Sequence, residues 1–138
     1  MVVLLRFTVF RTGFEINALA ERGDVNFKLF GDLMSIAKNS MKTFLYLAVG
    51  NIVAFMPFGF YSAWRIRKHS VLLAAVCGLV LSVCIESLQY LLGTGVAEID
   101  DVILNTLGAL LGALLERAAV SVRRRIRVKS EDRNETET

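Results

Sequence analysis

Apolar residues run through this chain in three long blocks, 43–64, 71–92 and 102–120, separated by short polar connectors. Each block is close to the ~20 residues an α-helix needs to cross the hydrocarbon core of a bilayer. Each is also apolar around most of its circumference, whereas a helix of a soluble protein keeps one face polar. The pattern predicts an all-α membrane protein, a small bundle of three transmembrane helices. Pro57 falls inside the first block, where it removes one ladder hydrogen bond and crowds the carbonyl near Val53, so a kink is expected there. Helices in membranes tolerate this when neighbours satisfy the freed backbone group.

Ahead of these blocks the pattern is irregular. Residues 1–10 are apolar apart from Arg6, too few to span, and they lack the layout of a cleavable signal. From 11 to 42 the chain mixes Glu15, Glu21, Asp24 and Asp32 with Arg22, Lys28, Lys38 and Lys42, and scatters Phe14, Phe27, Phe30, Leu33 and Ile36 among them. This predicts that 1–42 holds the remnant of a span followed by an extracytoplasmic, partly helical interfacial segment, with 35–42 leading helically into the first span. Beyond 120 the chain turns basic and then acidic, which reads as a tail at 121–138 with disorder from Ser130 onward.

Composition agrees with this division: 138 residues, 54% hydrophobic, suit one small membrane domain. Charge adds an orientation. The connector Arg65-Ile66-Arg67-Lys68-His69 is basic, as is the tail with Arg117, Arg123, Arg124, Arg125, Arg127 and Lys129, while 93–101 carries Glu98, Asp100 and Asp101 and no basic residue. The positive-inside rule puts 65–70 and the C-terminus in the cytoplasm and 93–101 outside. The net charge of +3 is then an asymmetry across a membrane. It does not signal nucleic-acid binding, since no basic groove is interleaved with aromatic residues. The arginine cluster reads as a topology anchor, with anionic lipid as a lesser alternative. Cys77 and Cys84 lie ~10 Å apart along one helix, too far for a disulfide, and read as small packing residues. No metal-ligand spacing occurs, and His69, in the basic connector, is read as a surface residue.

The chemistry lies in what interrupts the apolar blocks. Glu86 is a carboxylate inside the second, and such groups are rare at membrane depth because they are costly there. No lysine or arginine sits at its depth in any block, so it must be protonated, hydrated or bound to something. Helical rise puts Glu86 ~9 Å and Gln89 ~5 Å below the outer boundary of the second span, Asn105 ~5 Å into the third, and Asn51 ~12 Å into the first. Asp100 and Asp101 stand at the mouth of the third. Gly78, Ser82, Glu86 and Gln89 share one helical stripe, and Asp101, Asn105, Gly108 and Gly112 share another. Gly108-x-x-x-Gly112 also permits close helix approach. These spacings predict a polar pocket of Asn51, Glu86, Gln89, Asp100, Asp101 and Asn105 in the outer half of the membrane. Interhelical hydrogen bonding by Asn51, Gln89 and Asn105, and dipole capping by Asp101, are the plainer readings of the same residues.

With these residues in hand, the chain resembles the VanZ-like family of bacterial membrane proteins. The resemblance rests on Asn51-x-x-x-Phe55-x-Pro57-x-Gly59, Ser82-x-x-x-Glu86-x-x-Gln89 and Asp100-Asp101-x-x-x-Asn105-x-x-Gly108-x-x-x-Gly112, in order on successive spans, and covers roughly 43–116. It implies a small integral membrane protein of the cell envelope, without a cofactor, associated with low-level resistance to teicoplanin-type glycopeptides. Two features depart from the family pattern. An additional N-terminal span is usual, and Leu4 to Arg11 looks like only its end. An arginine is common before the acidic pair, and here Val96 or Ala97 takes its place.

Three functions follow as expectations. The first is a non-enzymatic envelope protein whose acidic pocket binds or shields a lipid-linked cell-wall component, or meets the glycopeptide itself, favouring a cationic or hydrogen-bonding partner. The second is an enzyme acting on polyprenyl-linked intermediates, with Glu86 and Asp100 or Asp101 as acid/base pair or as ligands of a divalent cation. Against it, no serine–histidine or cysteine–histidine arrangement exists, and no basic side chain reaches the outer pocket to hold a phosphate. The third is proton or solute translocation through Glu86.

Overall fold

The structure is a computed structural model that describes residues 25–26, 31–66, 70–93 and 96–136. The expectations for 1–24, including the partial span at Leu4 to Arg11, lie outside the described residues. In chain order the elements are β1 (Val25–Asn26), α1 (Gly31–Asn39), α2 (Met41–Ile66), α3 (Ser70–Leu92), β2 (Ala97–Glu98) and α4 (Ile99–Thr136). Three of these helices, α2, α3 and α4 as far as Ser130, are long and apolar enough to cross a membrane. The all-α bundle expected from the three blocks is what forms.

Its boundaries have local causes. α1 hands over to α2 at Ser40, whose N–H still donates to the Ile36 carbonyl while its own carbonyl accepts from Phe44. The Ser40 hydroxyl accepts from the Thr43 N–H, an N-cap that starts α2. The expected helical lead-in over 35–42 is therefore present, with a one-residue joint. α2 continues through Pro57, which lies exposed on its outer surface. α3 ends at Gly93, whose φ of 60° is the left-handed conformation that closes many helices. Among the described residues the disorder expected from Ser130 is not found: α4 runs on to Thr136. No glycine or proline follows Gly112 to stop it, and the arginine, lysine and glutamate residues that fill much of this stretch are good helix formers.

The three long helices meet along a seam of small residues. A side chain at Gly108 would collide with the Ile52 carbonyl, and one at Gly112 with the Met56 carbonyl and the Phe60 N–H. The contacts advance together by four residues, so α2 and α4 run parallel, nearly backbone to backbone. Gly59 is the reciprocal case, lying on α2 against the carbonyl of Ala109. Gly78 of α3 faces the Ala109 methyl, and Ala74 packs with Ala113 and Ala63, so α3 runs antiparallel to α4. Without a hydrophobic drive between helices in lipid, this close packing is what holds such a bundle. Cys77 and Cys84 take no part in it. Both are free and exposed on the outside of α3, contrary to the packing role expected for them, because they lie off the stripe of Ser70, Ala74, Gly78 and Ser82.

One element has no counterpart in the sequence pattern. Val25 and Asn26 pair in parallel with Ala97 and Glu98 as a two-stranded ribbon, tying the N-terminal segment to the 93–98 connector. Two-residue strands carry no readable period, so nothing in the pattern marks them.

Candidate functional site

The polar residues singled out from spacing gather at the end of the bundle that carries the ribbon, each delivered by one of the three long helices. α3 contributes the stripe Ser82, Glu86 and Gln89, all buried. Glu86 is 6% exposed, so its carboxylate is held among the helices rather than in lipid. One of its oxygens, Oε2, accepts the backbone N–H of Glu98 at 3.0 Å. That bond fastens β2, and through it β1, over the end of α3.

α2 and α4 supply the second link. The Asn51 amide donates to Oδ1 of Asp101, joining residues 50 positions apart. The geometry follows from helix direction: Cβ atoms tilt toward the N-terminus, so Asn51 reaches back up α2 to a residue in the first turn of the parallel α4. Asp100 and Asp101 both lie in that first turn, with the helix beginning at Ile99. They complement the positive end of the helix from inside it rather than from the capping position before it. Asp100 is the more buried of the two.

The third link crosses from α4 to α3. The amide of Asn105 donates to the Ser82 hydroxyl at 2.9 Å. Asn105 is 2% exposed, and its Oδ1 has no hydrogen-bond partner among the described residues. Gln89 and Asp100 are buried and have interactions of their own. Below this layer Phe55, fully buried, packs with Ile85 and forms an apolar floor with Ala54 and Leu81.

The six residues expected to form the pocket lie at one end of the bundle, and four of them, Asn51, Glu86, Asp101 and Asn105, take part in these three hydrogen-bonded links. Glu86 accepts from the connector backbone and Asp101 from Asn51, and both carboxylates have interactions besides these. Among the described residues, no three histidine, cysteine, aspartate or glutamate side chains are grouped to hold a metal ion. The arrangement offers carboxylate and carbonyl oxygens, and so suits a ligand that donates hydrogen bonds or carries positive charge. Gly59, Gly78, Gly108 and Gly112 are scaffold, lying in the seam, while Pro57 is on the exposed side of α2.

One participant in the layer, and one buried carboxylate outside it, escape sequence reasoning. Glu98 reads as connector charge, yet it is its backbone N–H that Glu86 holds. Glu116, buried at the other end of α4, continues the stripe Asp101, Asn105, Gly108 and Gly112 by a further four residues. That spacing is the signal that could have found it.

Comparison with known proteins gives the chain a lineage. The family model for VanZ/LLP1 matches residues 1–120. Protein VanZ of Enterococcus faecium is 34% identical over 67 residues, which cover 49% of this chain and 42% of that protein, so less than half of the relative's length is matched. No solved structure matches. With the family model extending over the bundle and the segment before it, the chain belongs to the VanZ/LLP1 family of membrane proteins.

Proposed function

We propose that this protein resides in the bacterial cell membrane with its C-terminus in the cytoplasm, and that it modulates susceptibility to teicoplanin-type glycopeptides. In this reading the polar layer at the ribbon end faces outward. There it binds or shields a lipid-linked cell-wall component, or the glycopeptide, by its hydrogen-bond-donating or cationic part. The observation that carries the reading is a buried, connector-bound carboxylate, Glu86, in a chain of the VanZ/LLP1 family. Orientation rests on charge: the 65–69 connector and the tail are basic, and the 93–101 connector is acidic. The acidity of the layer disfavours direct contact with a pyrophosphate and favours the donor groups of a peptide or sugar.

The test is susceptibility in a glycopeptide-sensitive host. Expression of the wild-type chain raises the inhibitory concentration of teicoplanin, and Glu86→Gln, Gln89→Ala, Asp101→Asn and Asn105→Ala lower it toward the empty-vector value at unchanged membrane abundance. If neither expression nor deletion of the wild-type gene moves susceptibility, the proposal fails. Reporter fusions at 66–69 and at the C-terminus check orientation, and activity of an extracytoplasmic reporter at either point contradicts it.

A further inference from the structure

A second buried carboxylate sits at the opposite end of the bundle. Glu116 is 7% exposed and makes no hydrogen bond or ion pair with any described residue. It lies one turn beyond Ala113, which packs with Ala63 of α2 and Ala74 of α3. Ser70, the first residue of α3, is one turn from Ala74 toward the same end, because α3 and α4 run antiparallel. It is 1% exposed and its hydroxyl has no hydrogen-bond partner among the described residues. Ser62, also buried, adjoins Ala63 at the same level. Three helices thus bring a carboxylate and two hydroxyls to one end of the bundle, beneath a plug of alanines.

The Ser70 hydroxyl left unsatisfied is costly, since an unpaired buried polar group loses its water without a replacement partner. The hydroxyls and carboxylate are best satisfied together by a group that donates several hydrogen bonds and carries positive charge. Depth narrows the choice. Glu116 lies ~26 Å along α4 from its start at Ile99, and the hydrocarbon core is ~30 Å thick, so this end meets the headgroup layer. Arg65, in the last turn of α2, and Arg117, beside Glu116, are exposed at the same end. Guanidinium groups are suited to phosphate.

We infer that this end of the bundle is a binding site for a phospholipid headgroup bearing both a phosphate and a primary ammonium. Glu116 and Ser70 receive the ammonium, Ser62 adds a further acceptor, and Arg65 and Arg117 hold the phosphate. The site is separate from the polar layer around Glu86: Gly78, Ala74, Ala109 and Ala113 fill the interior between them with small side chains. An ammonium with three N–H donors fits the acceptor set, a quaternary ammonium has none to give, and a glycerol headgroup brings no charge for Glu116.

The experiment is lipid retention by the purified full chain in detergent, read by native mass spectrometry against an equimolar mixture of phosphatidylethanolamine, phosphatidylcholine and phosphatidylglycerol. The wild-type chain retains phosphatidylethanolamine preferentially. Glu116→Gln reduces that preference by about tenfold, the scale of one hydrogen bond to a charged group. Ser70→Ala reduces it less. Equal retention of phosphatidylcholine would reveal an unspecific lipid annulus and overturn the inference. Retention of phosphatidylglycerol as well as or better than phosphatidylethanolamine would reveal simple attraction to arginine and overturn it too. So would an unchanged preference in Glu116→Gln. Should that variant not fold, judged by its helical circular dichroism, the wild-type comparison and Ser70→Ala decide the matter. The readout is lipid binding alone, so its outcome is independent of the glycopeptide phenotype.

Discussion

The seam and the polar layer occupy neighbouring stretches of the same helices, yet they are built on opposite principles. Along the seam, Gly59, Gly78, Gly108 and Gly112 bring backbone against backbone or methyl, with no polar side chain between. In the layer above, the same stripes carry Ser82, Glu86, Asn105 and Asp101, and the contacts become hydrogen bonds between side chains. Van der Waals packing of small residues suffices to hold helices together in lipid. A bundle that needed only cohesion had no reason to place a carboxylate at Glu86, where burial is costly. The seam accounts for the cohesion of the bundle, and the layer is where the proposed function would reside.

Substitutions can break the comparison at either region. The largest loss of stability is expected in the seam. Gly112→Leu or Gly108→Val sets a side chain against a main-chain carbonyl that cannot turn aside, so α2 and α4 must separate. Overpacking of this kind costs about 1–3 kcal/mol or more, which thermal unfolding in detergent will show as a large fall in Tm or as loss of folded protein. The polar links are expected to matter less for stability. A double-mutant cycle with Asn51→Ala and Asp101→Ala should return a coupling of about 0.6 kcal/mol and no more than roughly 1.7, the range found for hydrogen bonds between membrane helices. A coupling well above that range would mean the layer is structural after all. Smallest of all, Cys84→Ser on the exposed face of α3 should shift stability by less than about 0.5 kcal/mol, and a larger shift would show that this face is covered.

Much of this organisation is legible in the amino-acid pattern. The three blocks mark the spans because a lipid-facing helix must be apolar over a bilayer's thickness. The four-and-three spacing of Ser82, Glu86 and Gln89, and of Asp101, Asn105, Gly108 and Gly112, marks the inward faces because burial follows the helical period. Which residues meet across helices is not legible. That Asn51 finds Asp101, or Asn105 finds Ser82, depends on the relative height and direction of packed helices, and no local pattern encodes it. Glu98 escapes notice because its contribution is a backbone N–H, which every residue but proline possesses. Glu116 is hidden by its neighbours: beside Arg117, at the edge of an apolar block, a carboxylate reads as interfacial charge. The helical course of 131–136 is equally hard to see, because a polar, charged composition describes a surface helix as well as a disordered tail.

Glu86 is where stability and function should part most clearly. Replacing a buried carboxylate by its uncharged isostere removes the penalty for burying charge, while the amide oxygen can still accept the Glu98 N–H. Functional groups often persist at a cost to stability. The decisive measurement is therefore the teicoplanin susceptibility of Glu86→Gln beside its abundance in the membrane and its Tm. The account predicts a Tm equal to or above that of the wild type, undiminished abundance and loss of the resistance phenotype. A variant that keeps full resistance at normal abundance would contradict it, and would return Glu86 to the ranks of packing residues.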